Sequence, residues 1–190
     1  MLNGGVAIGR TLLVWGEPGV GKTQLAMQMA VQVLCYDSKV HFLHTKPLSS
    51  KRICEMGLAL STEVPEVGAT HLRTPLMPHF IASEAGWQGL ARTHLSTQLV
   101  DSLQGLRTAV DQLVASIDAD SPSLVVIDAL GMLMYNATRL DDRPFSIEGR
   151  QVEARLLVLK LTQFAQRRNA AVILIDFAVD DDSGGVKRAA

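Results

Sequence analysis

The chain has 190 residues, 47% hydrophobic and 19% charged, with a formal net charge of −1. That composition suits a folded domain with a real core, and a charge so near zero excludes a global basic field, so any nucleic-acid contact needs a local patch. No apolar run approaches the roughly 20 residues of a membrane span, and the opening "MLNGGVAIGR" lacks the cationic-then-apolar order of a signal peptide.

In chain order, "RTLLVWG" reads as a buried strand feeding a glycine-rich loop. The loop and the residues after it, "GEPGVGKTQLAMQMA", fit the pattern G-x-x-x-x-G-K-[ST] at every fixed position. Leu25, Met29 and Val33 then recur at four-residue spacing opposite Gln24, Gln28 and Gln32, which predicts an amphipathic helix. "SKVHFLH" is a second strand, "SKRICEMGLAL" a short helix and "ATHLRT" a candidate third strand. Segment 75–96, with Pro75, Pro78, Gly86 and Gly89, reads as a surface excursion whose Phe80 and Trp87 either anchor it to the core or dock a partner.

Leu99, Leu103, Leu106, Val110, Leu113 and Ile117 trace one helical face. "SLVVID" is a strand, "EGRQVEARLLVLKLTQFAQRRN" a long helix and "AAVILID" a final buried strand. Apolar strands alternating with helices predict an α/β domain, a mostly parallel sheet with helices on both faces. The expected organisation is one core over 1–179 and a frayed polar tail, "DDDSGGVKRAA", over 180–190. Cys35, Cys54 and the five histidines lack metal-ligand spacing, so reduced thiols and ordinary core or surface histidines are expected.

The loop pattern carries a specific chemistry. Gly16, Gly19 and Gly21 let the chain curl around Glu17, Pro18 and Val20 so that backbone N–H groups converge on phosphate oxygens. Lys22 would reach the β- and γ-phosphates of ATP, Thr23 would hold Mg²⁺ through its hydroxyl, and Gln24 closes the expected nucleotide-binding stretch. The bland alternative is a loop that only turns a corner. Asp128, closing "LVVID", is the acid expected to serve Mg²⁺ beside Thr23, with capping of the next turn as its alternative.

These residues resemble the RecA/RadA recombinase family, in particular its eukaryotic paralogs. The likeness rests on "GEPGVGKTQLAMQMAV", the lead-in "LNGG", "LVVIDAL", "MYNATRLDDRPFSIEGRQ" and "FAQRRNAAVILI", and covers about residues 3–178 without the family's N-terminal helical domain. It implies a RecA-type phosphate-loop NTPase acting with ATP and Mg²⁺ on single-stranded DNA in homologous recombination and DNA repair, in the nucleus if eukaryotic and otherwise in the cytoplasm. Three departures stand out. Lys46, followed by Pro47, falls where the family carries the Glu that orients the attacking water. No Glu follows Asp128, and Asp176–Phe177 replace an Asn-Gln pair. The version "HTKPLSSKRI" is similar to the small paralog that partners a SWIM-domain zinc protein in a Shu-type mediator complex.

Arg139, Arg143 and Arg150 lie in or beside the stretch resembling the family's first DNA-binding loop, and three guanidinium groups there could track a phosphate backbone. Asp141, Asp142 and Glu148 are interleaved, so a solvated loop with local ion pairs stands as the alternative. The expected function is an ATP-binding mediator that meets single-stranded DNA and recombinase-family or SWIM-type proteins and hydrolyses ATP slowly, with DNA stimulation. A nucleoside-phosphate-type kinase, using "RLDDRPFSIEGR" as its lid, and a non-hydrolysing scaffold are the other classes.

Overall fold

A computed structural model of the chain describes residues 6–48, 51, 55, 84–116, 122–133, 147–176, 178–180 and 186–188. Five strands form one all-parallel sheet: β1 (Thr11–Val14), β2 (Val40–His44), β3 (Leu95–Leu99), β4 (Leu124–Asp128) and β5 (Ala171–Ile175). Their order is β1-β5-β4-β2-β3. The registers pair Val14 with Ile175, Ile175 with Asp128, Asp128 with His44 and His44 with Leu99, so all five strands end on one line. In open parallel sheets that edge is where ligands bind.

The helices are α1 (Lys22–Leu34), α2 (Glu84–His94), α3 (Leu103–Ala115) and α4 (Ile147–Arg168). Strand alternation divides the core into two layers. Phe42, Val126, Ile173 and Ile175 pack with Met27, Val31 and Leu34 of α1 and Trp87 of α2. Leu43, Val125, Ile127, Val172 and Leu174 pack with Leu106 and Val110 of α3 and Leu157 and Leu161 of α4. Among the described residues no helix is long and apolar enough to cross a membrane.

Several expectations change here. The buried face of α1 is Ala26, Met27, Ala30, Val31 and Leu34, whereas Leu25 is exposed and Met29 and Val33 lie on its flank. Small alanines let that face approach the sheet, a preference that a stripe of large side chains does not register. Part of the 75–96 segment is helix α2, and Trp87 is fully buried, anchoring it to the core; truncating such a side chain typically costs about 3–5 kcal/mol. Phe80 and "ATHLRT" lie outside the described residues.

The segment around Leu99 also departs from the sequence reading. Leu95–Leu99 is strand β3, paired with β2, and Leu99 is an exposed strand residue rather than the start of a helical stripe. Ser102 explains the switch. Its hydroxyl accepts from the Gly105 N–H at 3.1 Å, an N-cap worth about 1 kcal/mol that starts α3 at Leu103. Of the short helix proposed after β2, Lys51 and Glu55 are helical and approach within 3.8 Å; the rest lies outside the described residues. After β5, Ala178–Asp180 (β6) and Val186–Arg188 (β7) form an antiparallel ladder, the latter inside the stretch expected to be a polar tail.

Candidate nucleotide site

The phosphate loop joins the end of β1 to the start of α1. Gly19 and Gly21 have φ of 85° and 93°, a left-handed backbone that side chains with a Cβ adopt at a cost. Gly21 is also the N-cap of α1 and offers no side-chain cap to the first-turn N–H groups. A helix beginning this way presents its N–H groups and positive dipole end to an anion.

A cavity of about 540 Å³ opens in front of the loop. Pro18, Gly19, Gly21, Lys22, Thr23 and Gln24 form one part of its wall, and Thr45, Lys46, Pro47 and Leu48, the strap leaving β2, form another. Met27, Met132 and Ile175 supply apolar surface, a mixture of polar and apolar lining suited to a nucleotide. Gly16, Glu17 and Val20 are not in the lining. Gly16 and Glu17 instead turn their carbonyls to the Lys22 ammonium, which donates to each at 2.7 Å. Val20 points outward and is 62% exposed.

Thr23 and Asp128 are brought together from 105 residues apart: the Thr23 hydroxyl donates to Asp128 Oδ2 at 2.6 Å. Asp128 closes β4 on the sheet face that carries Leu124 and Val126, the face against which α1 packs. The pair supplies a hydroxyl oxygen and a carboxylate at the cavity wall. Hard oxygen donors of this kind fit Mg²⁺, which keeps most of its waters and takes one or two protein ligands plus phosphate. Among the described residues no group of three His, Cys, Asp or Glu side chains could hold a metal by itself.

Lys46 is exposed on the strap and lines the same cavity as the loop. Sequence reasoning missed the residue before the strap. His44 is 7% exposed, and its Nδ1 lies 2.8 Å from the Lys46 carbonyl. Strand alternation was the signal available, since Val40, Phe42 and His44 point to one face.

Asp176, the first residue of the pair that replaces Asn-Gln, is buried and lines a separate cavity with Arg10, Thr11, Arg155 and Thr162 on the α4 side. Alternation explains it. Ile175 faces the nucleotide cavity, so the next residue faces away. Arg139 and Arg143 lie outside the described residues, and Arg150 falls in the first turn of α4 with its side chain undescribed. Burial raises the Cys35 thiol pKa, as expected of an inert thiol. Burial alone lowers the pKa of His41 on β2.

Known proteins resemble this chain in sequence and fold. A family model described as "AAA domain" matches residues 2–178. The chain is 23% identical over 185 residues to the DNA repair protein RadA of Escherichia coli (strain K12), covering 96% of this chain and 30% of that protein. It is 22% identical over 175 residues to DNA repair protein RadA of Synechocystis sp., covering 92% of this chain and again 30% of the relative. The chain thus spans under a third of these relatives' length. A crystal structure of the RadB recombinase matches with a TM-score of 0.61 at 21% identity, over 96% of this chain and 68% of that one. The shared architecture is the RecA-type α/β fold, with its phosphate loop between the first strand and first helix.

Proposed function

The chain belongs to the AAA domain family, and from that premise we propose that it is an ATP-binding recombinase paralog serving homologous recombination and DNA repair. The observation that carries the reading is the Thr23–Asp128 bond of 2.6 Å beneath a glycine-rich loop, which joins a cation-binding pair to a phosphate cradle. The names of the similar proteins, a DNA repair protein and a recombinase, support the choice of process.

In this reading the loop N–H groups and the α1 N-terminus bind the phosphates, and Lys22 turns from the loop carbonyls to the β- and γ-phosphate oxygens. Thr23 and Asp128 would hold Mg²⁺, which when bound neutralises charge developing on the phosphates. Hydrolysis also needs a group that orients the attacking water. Lys46 occupies that place, and an ammonium has no lone pair with which to accept a proton. Its charge instead favours the bound triphosphate. The protein therefore holds ATP and turns it over slowly, acting as a mediator that carries single-stranded DNA through Arg139, Arg143 and Arg150. The strap sequence "HTKPLSSKRI" supports a Shu-type paralog with a SWIM-domain partner.

A thermal-shift experiment tests the core of this reading. ATP with Mg²⁺ at one hundred times its Kd should stabilise the protein by about 2.7 kcal/mol, which is roughly 5–10 °C in Tm for a domain of this size. Lys22→Ala should abolish the shift and leave the unliganded Tm within a few degrees. An equal shift in the variant removes the nucleotide assignment. Co-purification from cells tests the partner: recombinase-family chains or a SWIM-type zinc protein in the eluate support it, and their absence from a stable, purified assembly contradicts it.

A further inference from the structure

Lys46 draws attention by its position in the sequence; the structure adds the residue that holds it. β2 ends at His44, buried against Phe42 at a ring-centroid distance of 6.5 Å. Three hydrogen bonds tie the chain where it leaves the strand. The Val100 N–H donates to the His44 carbonyl at 2.8 Å, and the Thr45 N–H donates to the Asp128 carbonyl at 2.7 Å. Both use backbone groups that almost any residue would offer. The third is the 2.8 Å contact between His44 Nδ1 and the Lys46 carbonyl, and it depends on a side chain. A carbonyl only accepts, so Nδ1 carries the proton.

That bond reaches two residues ahead and bends the strap at Thr45, leaving Lys46 and Pro47 on the cavity wall. Pro47 has no N–H with which to tie the strap itself, and it biases Lys46 toward extended backbone. We propose that His44 is a positioning residue for a phosphate contact: its Nδ1–H sets the Lys46 backbone so that the ammonium faces the terminal phosphate of a bound nucleoside triphosphate. The inference rests on reading this cavity as a nucleotide site. The imidazole acts only through Lys46. A lysine whose backbone is fixed concentrates its charge at one place, whereas one on a loose strap loses that focus to side-chain and backbone entropy.

A role confined to filling the core would weaken all nucleotides alike, so the discriminating readout is the preference for ATP over ADP. Dissociation constants for both, with Mg²⁺, are measured for the parent, Lys46→Ala, His44→Leu, His44→Asn and the double variant His44→Leu/Lys46→Ala. Leu fills the space without a donor, and the Asn amide keeps a donor near the position of Nδ1. Lys46→Ala should reduce the preference about tenfold, the scale of one charge-assisted contact. His44→Leu should reduce it at least threefold, His44→Asn should restore it, and the double variant should be no worse than Lys46→Ala alone.

Equal weakening of ATP and ADP by His44→Leu, or multiplying effects in the double variant, overturns the inference. So does a folded His44→Asn that has lost the preference, should His44→Leu not fold. An unchanged preference in Lys46→Ala, with nucleotide binding intact, overturns this inference and the role given to the Lys46 charge, and leaves the nucleotide assignment of the cavity standing. A parent that binds neither nucleotide overturns the nucleotide reading and this inference together.

Discussion

The two walls of the nucleotide cavity were built under different constraints. The loop wall, Pro18, Gly19 and Gly21 to Gln24, is shaped by left-handed glycines and a helix N-terminus. The strap wall, Thr45 to Leu48, presents side chains, and its character is set by one ammonium and one proline. On the proposed reading, affinity for phosphate would come from the first wall, and the fate of the bound phosphate would depend on the second. A fold can therefore keep the first and exchange the second, which separates holding a nucleotide from consuming it.

Removing the charge at the junction of the two walls should have the largest effect. Asp128→Asn keeps an oxygen for the Thr23 hydroxyl but loses the negative charge, and should weaken the Mg²⁺-dependent part of ATP binding about 10–100-fold. Titrations with Mg²⁺ and with a chelator would then nearly coincide. A retained Mg²⁺ dependence would place the metal elsewhere.

Lys46→Glu addresses the second wall by itself. Replacing an attractive charge with a repulsive one near phosphate should weaken ATP affinity about tenfold, or 1.4 kcal/mol, and raise steady-state phosphate release. If affinity falls without faster release, the strap governs binding only, and the division of labour between the walls fails.

A smaller effect is expected from the segment proposed to meet DNA, whose substitution should leave nucleotide binding unchanged. Arg139→Ala with Arg143→Ala should flatten the salt dependence of single-stranded DNA binding by roughly 0.7 of a log–log unit per lost phosphate contact. ATP affinity without DNA should not move. Equal salt slopes for variant and parent would show that these arginines do not touch DNA.

The smallest effect concerns β2 away from the strap. Burial lowers the pKa of His41, so between its unfolded value of 6.5 and the lower folded value the unfolded chain binds the extra proton. Stability contributed by His41 is thus present above about pH 6.5 and falls as pH drops through that window. His41→Gln should flatten the Tm profile below pH 6.5 while ATP affinity at pH 7.5 stays the same. An unchanged profile would assign the acid sensitivity to other groups.

Legibility followed the range of the forces involved. The glycine-rich loop is contiguous and its glycines answer to local backbone sterics, so its turn into α1 and the strand before it could be read directly. The apolar runs ending at Asp128 and Ile175 were equally plain, because a strand buried on both faces needs an unbroken apolar stretch. Strand β3 was not: three of the five residues of "LSTQL" are polar, and the spacing of Leu99 from Leu103 and Leu106 imitates a helix. As an edge strand it is covered only in part, so its side chains carry a weak pattern while its pairing with β2 supplies the stabilisation. Trp87 was recognised as an anchor without its helix, since a buried face of few residues leaves little periodicity.

The sequence by itself determined the glycine-rich loop, the strand feeding it and the helix beginning at Lys22, because each is written in adjacent residues. Tertiary structure decided which distant groups meet there. Parallel pairing sets Asp128 beside His44 and within reach of Thr23, and it turns Asp176 to the other face of the sheet. It also delivers His44 to the Lys46 carbonyl with its ring withdrawn from water. Such meetings depend on strand order and register, which arise from contacts between segments far apart in the chain, and a one-residue slip would turn every one of these side chains to the opposite face.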